Sequence, residues 1–400
     1  MIPFALSLLL AAQAAPAARA DRSEIGCNYC HSQEATAAAD GIHRRSGIDC
    51  LACHGGDGRE TGDAARAHDG DFRPLTSPQE AVLACGECHA DPARMAHYGL
   101  KTDQLNLYRT SSHGSALFEE GAEDVATCLT CHGVHRILPV SDPRSQAFKP
   151  RLTRTCMGCH SDRERMSRHG IETTAPEDYA GSVHGRLLLE EGNLASPGCV
   201  DCHGSHGAAP PRVEAVEMVC GHCHTPERTQ FRRSPHYQAS LRGEMEECTS
   251  CHSNHAVDDL DSSELTAADG LCTVCHPDPE SRARMVARRI SEDLDRLQAN
   301  ILEVEEEVEQ AARRGLFLRD HEGFVEELKS IRRSSAPVSH ASSVEVLDEV
   351  VQRGNGMVHK TRRRLEVLAH RFRDLRIFAV VFTFVSLLLV GLMLAYRREL

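Results

Sequence analysis

All eighteen cysteines fall into C-x-x-C pairs, and each of the nine pairs is followed at once by His. The pairs are Cys27/Cys30, Cys50/Cys53, Cys85/Cys88, Cys128/Cys131, Cys156/Cys159, Cys199/Cys202, Cys220/Cys223, Cys248/Cys251 and Cys272/Cys275. The histidines that come next are His31, His54, His89, His132, His160, His203, His224, His252 and His276. Two thiols three residues apart on one turn can add to the two vinyl groups of a haem, while the adjacent imidazole lies under the iron. A zinc ribbon works its pairs in twos but gives no reason for His after every pair, and a disulfide scaffold makes no demand on the following residue. The pattern therefore predicts nine covalent c-type haems, with these nine histidines as proximal iron ligands.

The rest of the composition agrees with a chain that folds around cofactors. There is no Trp, aromatic residues make up 4%, and the hydrophobic share of 41% includes two segments that read as targeting or membrane sequence. Apolar burial alone would not offset the conformational entropy of such a chain. A mostly α fold with irregular loops wrapped around haems is expected. The formal net charge of -13 argues against nucleic acid, which favours a basic face.

Two apolar segments bear on the compartment. Residues 1–20 end in Ala18-Arg19-Ala20, a small-x-small site after a short apolar run, and read as a secretory signal. Residues 377–396 are long enough to cross a hydrocarbon core as one helix, leaving 397–400 as a cytoplasmic tail. Haem attachment outside the cytoplasm suits export, so the expected location is the inner membrane, single-pass, with the haem region on the periplasmic side. Lys360, Arg362, Arg363, Arg364, Arg371, Arg373 and Arg376 precede the span, against Arg397 and Arg398 beyond it. That asymmetry opposes this orientation, but a long translocated domain outweighs local charge, and the basic stretch could rest on anionic head groups.

A shift of 71 residues lays Cys85/Cys128 on Cys156/Cys199, and with them Met95 on Met166, Tyr108 on Tyr179, Ser111 on Ser182, His113-Gly114 on His184-Gly185 and His135 on His206. A shorter third unit offers Ser234-Pro235-His236 and His255, and a looser first one offers His43 and His68. A lone His is more often a surface or hydrogen-bonded residue, but recurrence in register makes His113, His135, His184, His206, His236 and His255, with His43 and His68, candidate distal iron ligands. His97 and His169 do not align, and His222 lies inside its own attachment loop, so none of these is a candidate. Met95 and Met166 read as packing side chains. Eight distal candidates for nine irons leave one site, for which His340 beyond Pro337 is the first choice; the alternative is one five-coordinate haem open to substrate.

After residue 280 the pattern changes. Ile290, Leu294, Leu297, Ile301, Val304, Val308 and Ala311 follow alternating steps of four and three, and so do Val344, Leu347, Val351, Val358, Leu365, Leu368, Phe372 and Leu375. Gly315 is the expected C-cap of the first seam, and a short helix around Phe324, Leu328 and Ile331 leads to Pro337. Ser342 and Glu345 form a candidate capping box for the second, and Gly354 and Gly356 are its weak point. These features predict an antiparallel helical hairpin as a stalk over 281–376, above a haem region at 21–280; an oligomerising coiled coil would satisfy the same heptads.

The C-x-x-C-H-G-x-H runs from Cys128 to His135 and from Cys199 to His206, each preceded by S-x-H-G at Ser111 and Ser182, resemble bacterial multihaem cytochromes c over 21–278. The resemblance implies bis-histidine haems packed as a wire, with His135 and His206 serving haems other than those attached beside them. More loosely the chain is similar to membrane-bound tetrahaem quinol dehydrogenases, departing from them in having nine motifs and a C-terminal anchor. The expectation is an electron carrier between a membrane quinol-oxidising partner, or other respiratory complex subunits, and periplasmic or outer redox acceptor proteins. A reductase of nitrogen or sulfur oxyanions with one open haem, or a haem-rich subunit of a respiratory complex, are the alternatives. No C-x-x-C-K occurs, and no catalytic residue is assigned.

Overall fold

Several motif helices end at the motif histidine, and in three of them the next residue is what stops the helix. In a computed structural model that describes residues 25–211, 216–260, 262–313 and 321–399, Cys50–His54, Cys128–His132 and Cys199–His203 are single five-residue turns. Each stops at a glycine with positive φ: Gly55 at 64°, Gly133 at 84° and Gly204 at 83°. Only glycine enters that region without strain. Two other motifs end twelve-residue helices instead, α1 (Pro78–His89) and, one repeat later, α3 (Lys149–His160). In these five motifs the histidine occupies the last turn of a helix.

The candidate distal His of each repeat stands at the start of a helix: His113 on α2 (Ser112–Phe118), His184 on α4 (Val183–Leu189) and His236 on α6 (Pro235–Leu241), after α5 (Thr225–Phe231). Ser111, Ser182 and Ser234 cap these helices, accepting hydrogen bonds from the N–H groups of Gly114, Gly185 and Tyr237 at 3.0, 3.0 and 3.1 Å. The glycine of S-x-H-G has its own cause. A Cβ at Gly114 would sit 1.8 Å from the Tyr108 carbonyl oxygen, and one at Gly185 would sit 1.9 Å from that of Tyr179. The repeat is thus a packing unit in which Tyr108 donates to Ala126 O and Tyr179 to Pro197 O, both at 2.8 Å. Leu117 and Leu188 are fully buried in it. No strand occurs among the described residues.

The chain divides after Pro210 into two units, and the last three motifs belong with the stalk helices. The boundary expected near residue 280 is bridged within the second unit: the 3-10 segment Ala336–Ala341 packs on α5, and α7 (Arg282–Arg313) packs on the turns that hold the ninth motif.

The stalk differs from the expected antiparallel hairpin. It has three helices: α7, α8 (His321–Ser335) and α9 (Val344–Glu399). Arg289 pairs with Asp348 at 2.7 Å, Asn300 with Asn355 at 3.3 Å and Glu307 with Arg362 at 3.0 Å, so numbers rise together and α7 runs parallel to α9. Arg332 meets Glu305 and Arg364 meets Glu327, which makes α8 the antiparallel return. At fifteen residues α8 is about 22 Å long, enough to carry the chain back before α9 starts. Leu297, Ile301, Val304, Val308, Leu328, Ile331, Val358 and Leu365 form the shared core.

Gly354 and Gly356 do not break α9. A Cβ at Gly354 would lie 2.9 Å from both Leu297 methyl carbons, so glycine lets α7 and α9 close in there. The second seam is buried through Leu365 but Leu375 is 65% exposed. The cap of α9 is Ser343 rather than Ser342: Ser343 Oγ accepts from Val346 N, while Ser342 sits in the left-handed region and closes the preceding 3-10 turn. Gly315 and residues 1–20 lie outside the described residues. Beyond Arg376 the helix continues as an exposed apolar rod, with Phe378 at 68% and Met393 at 74%. Among the described residues this is the one helix long and apolar enough to cross a membrane.

Candidate haem sites

Two imidazoles on opposite sides of one metal have a fixed separation. With about 2.0 Å from metal to nitrogen on each side, and about 1.1 Å more to each ring centre, the centroids stand about 6.2 Å apart. Pairs that meet this value among the described residues include His31–His68 at 6.1 Å, His54–His135 at 6.4 Å, His89–His43 at 6.0 Å, His132–His206 at 6.2 Å, His160–His113 at 6.1 Å, His252–His340 at 6.0 Å and His276–His236 at 6.3 Å, and each of these seven joins one motif His to one candidate distal His. His135 faces His54 and His206 faces His132, each away from the motif beside it in sequence. The two motif histidines outside these seven pairs are His203 and His224, and the two distal candidates outside them are His184 and His255.

The rings are held ready to coordinate. Iron takes the neutral imidazole, and burial pushes His43, His89, His113, His132, His160, His206, His236, His252 and His340 below the usual histidine value. For His43, His132 and His252 the facing imidazole adds to that shift. Backbone carbonyls of Arg73, Ala209 and Pro337 lie 3.0, 3.1 and 3.2 Å from the Nδ1 atoms of His54, His203 and His340. Donation from Nδ1 leaves Nε2 as the free lone pair.

The thiols show which motifs are neighbours. The thiols of Cys85 and Cys128 lie close enough to shift one another's pKa, as do those of Cys156 and Cys199 one repeat later and of Cys220 and Cys248 in the second unit. Burial raises Cys53, and the nearby Cys85 and Cys88 raise it further. Cys131 is pushed up to about 11 by burial, then by Cys156 and Cys159. Cys251 is raised by burial and by Cys272 and Cys275. Between the first two motifs Phe72 lies against both His68, at 4.3 Å, and His54, at 6.4 Å. Motifs one to six are therefore consecutive neighbours in the first unit, and seven to nine in the second. No cysteine is in a disulfide, and among the described residues no group of three or more His, Cys, Asp or Glu converges as a compact metal site.

Not all the cysteines expected to link haem are sheltered by the chain. Cys30, Cys53, Cys202, Cys223, Cys251 and Cys275 are exposed, whereas Cys27, Cys50, Cys199, Cys220, Cys248 and Cys272, the first thiols of the same motifs, are partly buried. For Cys30, Cys202 and Cys223 the reason is position along short helices. Cys30 ends Ile25–Cys30, Cys202 stands next to the end of Cys199–His203, and Cys223 lies just beyond Val216–Gly221, so no further helical turn covers them. Cys202 still lies close enough to Cys199 to help raise that thiol. The assignment of all eighteen cysteines as haem linkers rests on the motif spacing.

The chain is distantly similar to a multihaem cytochrome. It is 25% identical over 204 residues to multiheme cytochrome MtrA of Shewanella baltica, a match that takes in 47% of this chain and 52% of that protein. The chain thus spans about half the length of this curated relative. No protein-family model matches the chain, and no solved structure matches it. The likeness and the eighteen cysteines together suggest c-type haems and electron transfer.

The histidines set aside on sequence are engaged otherwise or exposed. His169 Nε2 is 3.1 Å from Asp124 Oδ1, His97 packs edge-on against Tyr98, and His222 is exposed. Met95 and Met166 are buried. Not foreseen were contacts between arginines and motif sulfurs: Arg94 Nη1 lies 3.2 Å from Cys88 Sγ and Arg165 Nη1 lies 3.0 Å from Cys159 Sγ. Both pairs obey the 71-residue shift, which was the signal available.

Proposed function

We propose that the chain carries nine c-type haems, one on each C-x-x-C-H motif, and relays electrons through them without transforming a substrate. The observation that carries this reading is the set of seven imidazole pairs at 6.0–6.4 Å, each a motif histidine facing another histidine. Bound there, haem supplies a one-electron couple with no bond made or broken. The protein's part is to close each iron with a second imidazole, so that no position is left for substrate, and to bring consecutive attachment edges together. His68, His135, His43, His206, His113, His340 and His236 serve in the pairs above, and His184 and His255 supply the two remaining distal ligands. The position of His340 opposite His252 supports this reading over one haem left open for oxyanion reduction.

Export by the leader at 1–20 puts the haems on the periplasmic face of the inner membrane, with 377–396 as anchor. The electron donor is a membrane quinol-oxidising protein or respiratory complex, and the acceptors are periplasmic or outer redox proteins. The test is a paired one. The intact mass should exceed that of the processed polypeptide by nine haems, and the oxidised protein should be wholly low-spin. Reduced protein should pass electrons rapidly to an artificial acceptor, yet be oxidised by nitrite, hydroxylamine, tetrathionate or sulfite no faster than buffer alone allows. Saturable oxidation by one of these, lost on altering one distal histidine, would replace the relay with an enzyme.

A further inference from the structure

Arg284 is a cation in an expensive place. It lies in the first turn of α7, the positive end of that helix, and only 6% of its surface is exposed. Its Nη2 donates to the carbonyls of Ala267 and Thr266 at 3.1 and 3.4 Å, while the buried Nη1 has no hydrogen-bond partner. Among the described residues no carboxylate pairs with it. A buried charge without a counter-ion is costly, so its retention calls for a compensating interaction. What the guanidinium lies beside is the ninth motif, since α7 packs on the turn Leu271–Thr273 that holds Cys272. Burial raises the Cys272 thiol, and the adjacent Arg284 pulls it back.

The same arrangement recurs at two other motifs. Arg94 reaches Cys88 Sγ and Arg165 reaches Cys159 Sγ, each six residues beyond its cysteine. The three differ in how far the charge is neutralised. Arg94 is 3.3 Å from Asp91 and largely exposed. Arg165 has a buried, unpartnered Nε and no carboxylate partner among the described residues. Arg284 is the most buried and equally unpaired. A fixed cation stabilises an added electron, more strongly where water and counter-charge are excluded.

We propose that Arg94, Arg165 and Arg284 each set a positive charge against the attachment edge of one haem and raise its reduction potential, most at the ninth motif and least at the third. This rests on haem attachment as proposed above and extends it: the relay is graded, and its last site, at the root of the stalk, is a preferred resting place for an electron. The step concerned is one-electron reduction of ferric to ferrous iron, with the electron supplied by the proposed membrane donor and no bond formed or broken. The arginines are positioning residues that touch no substrate.

The experiment is a spectroelectrochemical titration of full-length holoprotein, following the haem absorption band against applied potential, with haem content fixed by haemochrome assay and intact mass. In Arg284→Gln, about one-ninth of the titration amplitude should move to lower potential, with haem content and low-spin character unchanged, and Arg284→Lys should restore most of the shift. An unmoved titration in a fully loaded Arg284→Gln protein overturns the proposal. Should Arg284→Gln fail to retain haem, Arg165→Gln decides: a smaller downward shift of about one-ninth of the amplitude supports the proposal, and an unmoved curve overturns it. Nine haems with unmoved titrations sink this inference alone, whereas a chain that carries no haem sinks it together with the relay.

Discussion

The imidazoles of His252 and His340 face one another at 6.0 Å with their planes 15° from parallel, although α7 and α8 separate them in sequence. The segment that bears His340 is the 3-10 turn leading into α9, fixed by Val338 and Ala341, which are fully buried with Ile290 and Leu347. One end of the stalk thereby lies against the eighth motif, where it would form part of the proposed haem site. His340→Ala should open one iron, seen as a high-spin signal of about one-ninth of the haem and as carbon monoxide binding by the reduced protein. Truncation before Ile377 keeps His340 and should release a soluble, fully low-spin protein; truncation before Arg282 should not stay fully low-spin.

The S-x-H-G glycines should be the least replaceable residues of the repeats. Gly114→Ala and Gly185→Ala place a methyl group within 2 Å of a carbonyl oxygen, which the backbone must move to relieve, at about 1–3 kcal/mol or more. Ser111→Ala and Ser182→Ala, which remove only a cap, should cost about 1 kcal/mol each. Thermal denaturation followed in the haem band should rank the glycine variants below the serine ones.

Acid should loosen the second unit through Glu217. Its side chain is 5% exposed and lies between Arg228 and Arg232. Burial alone would raise its pKa, but the two guanidiniums outweigh that and hold it below the usual 4.5. A carboxylate with a depressed folded pKa contributes stability that is full above its unfolded value and lost as pH falls through the folded one. The contribution should thus be complete above about pH 4.5 and fade below it. Glu217→Gln should cost on the order of 3 kcal/mol at neutral pH and flatten the acid limb of the stability curve below pH 4.5.

Leu328 is fully buried between all three stalk helices. Leu328→Ala should destabilise the stalk by about 2–5 kcal/mol, read as an earlier loss of helical circular dichroism, while the haem signals of the first unit stay unchanged.

What could be read from sequence was what covalent chemistry and repetition dictate. C-x-x-C-H has one spacing because two thiols and one ring must meet one haem, and S-x-H-G recurs because the helix start packs against a tyrosine carbonyl. His340 came into view only by counting, since no repeat unit contains it. The direction of α7 relative to α9 was hidden, because a heptad says which face is apolar and nothing about which way the partner runs. Whether Ser342 or Ser343 caps α9 depends on a backbone angle of 47° that no serine announces. The arginines on Cys88 and Cys159 were missed because charged residues in a repeat read as solvated surface until a partner is seen.

If the chain carries haem as proposed, the histidine pairs also imply an order of assembly. Within each unit consecutive motifs are neighbours, so each newly modified motif could pack on the one just before it as the chain emerges. The opposing imidazole often comes much later: His54 waits for His135, His132 for His206, and His252 for His340. If these pairs carry haem, four irons would wait for a later histidine, whereas His89, His160 and His276 would meet partners already behind them in His43, His113 and His236. The eighth would be closed by the turn that immediately precedes the long apolar helix, and so only once that turn has emerged.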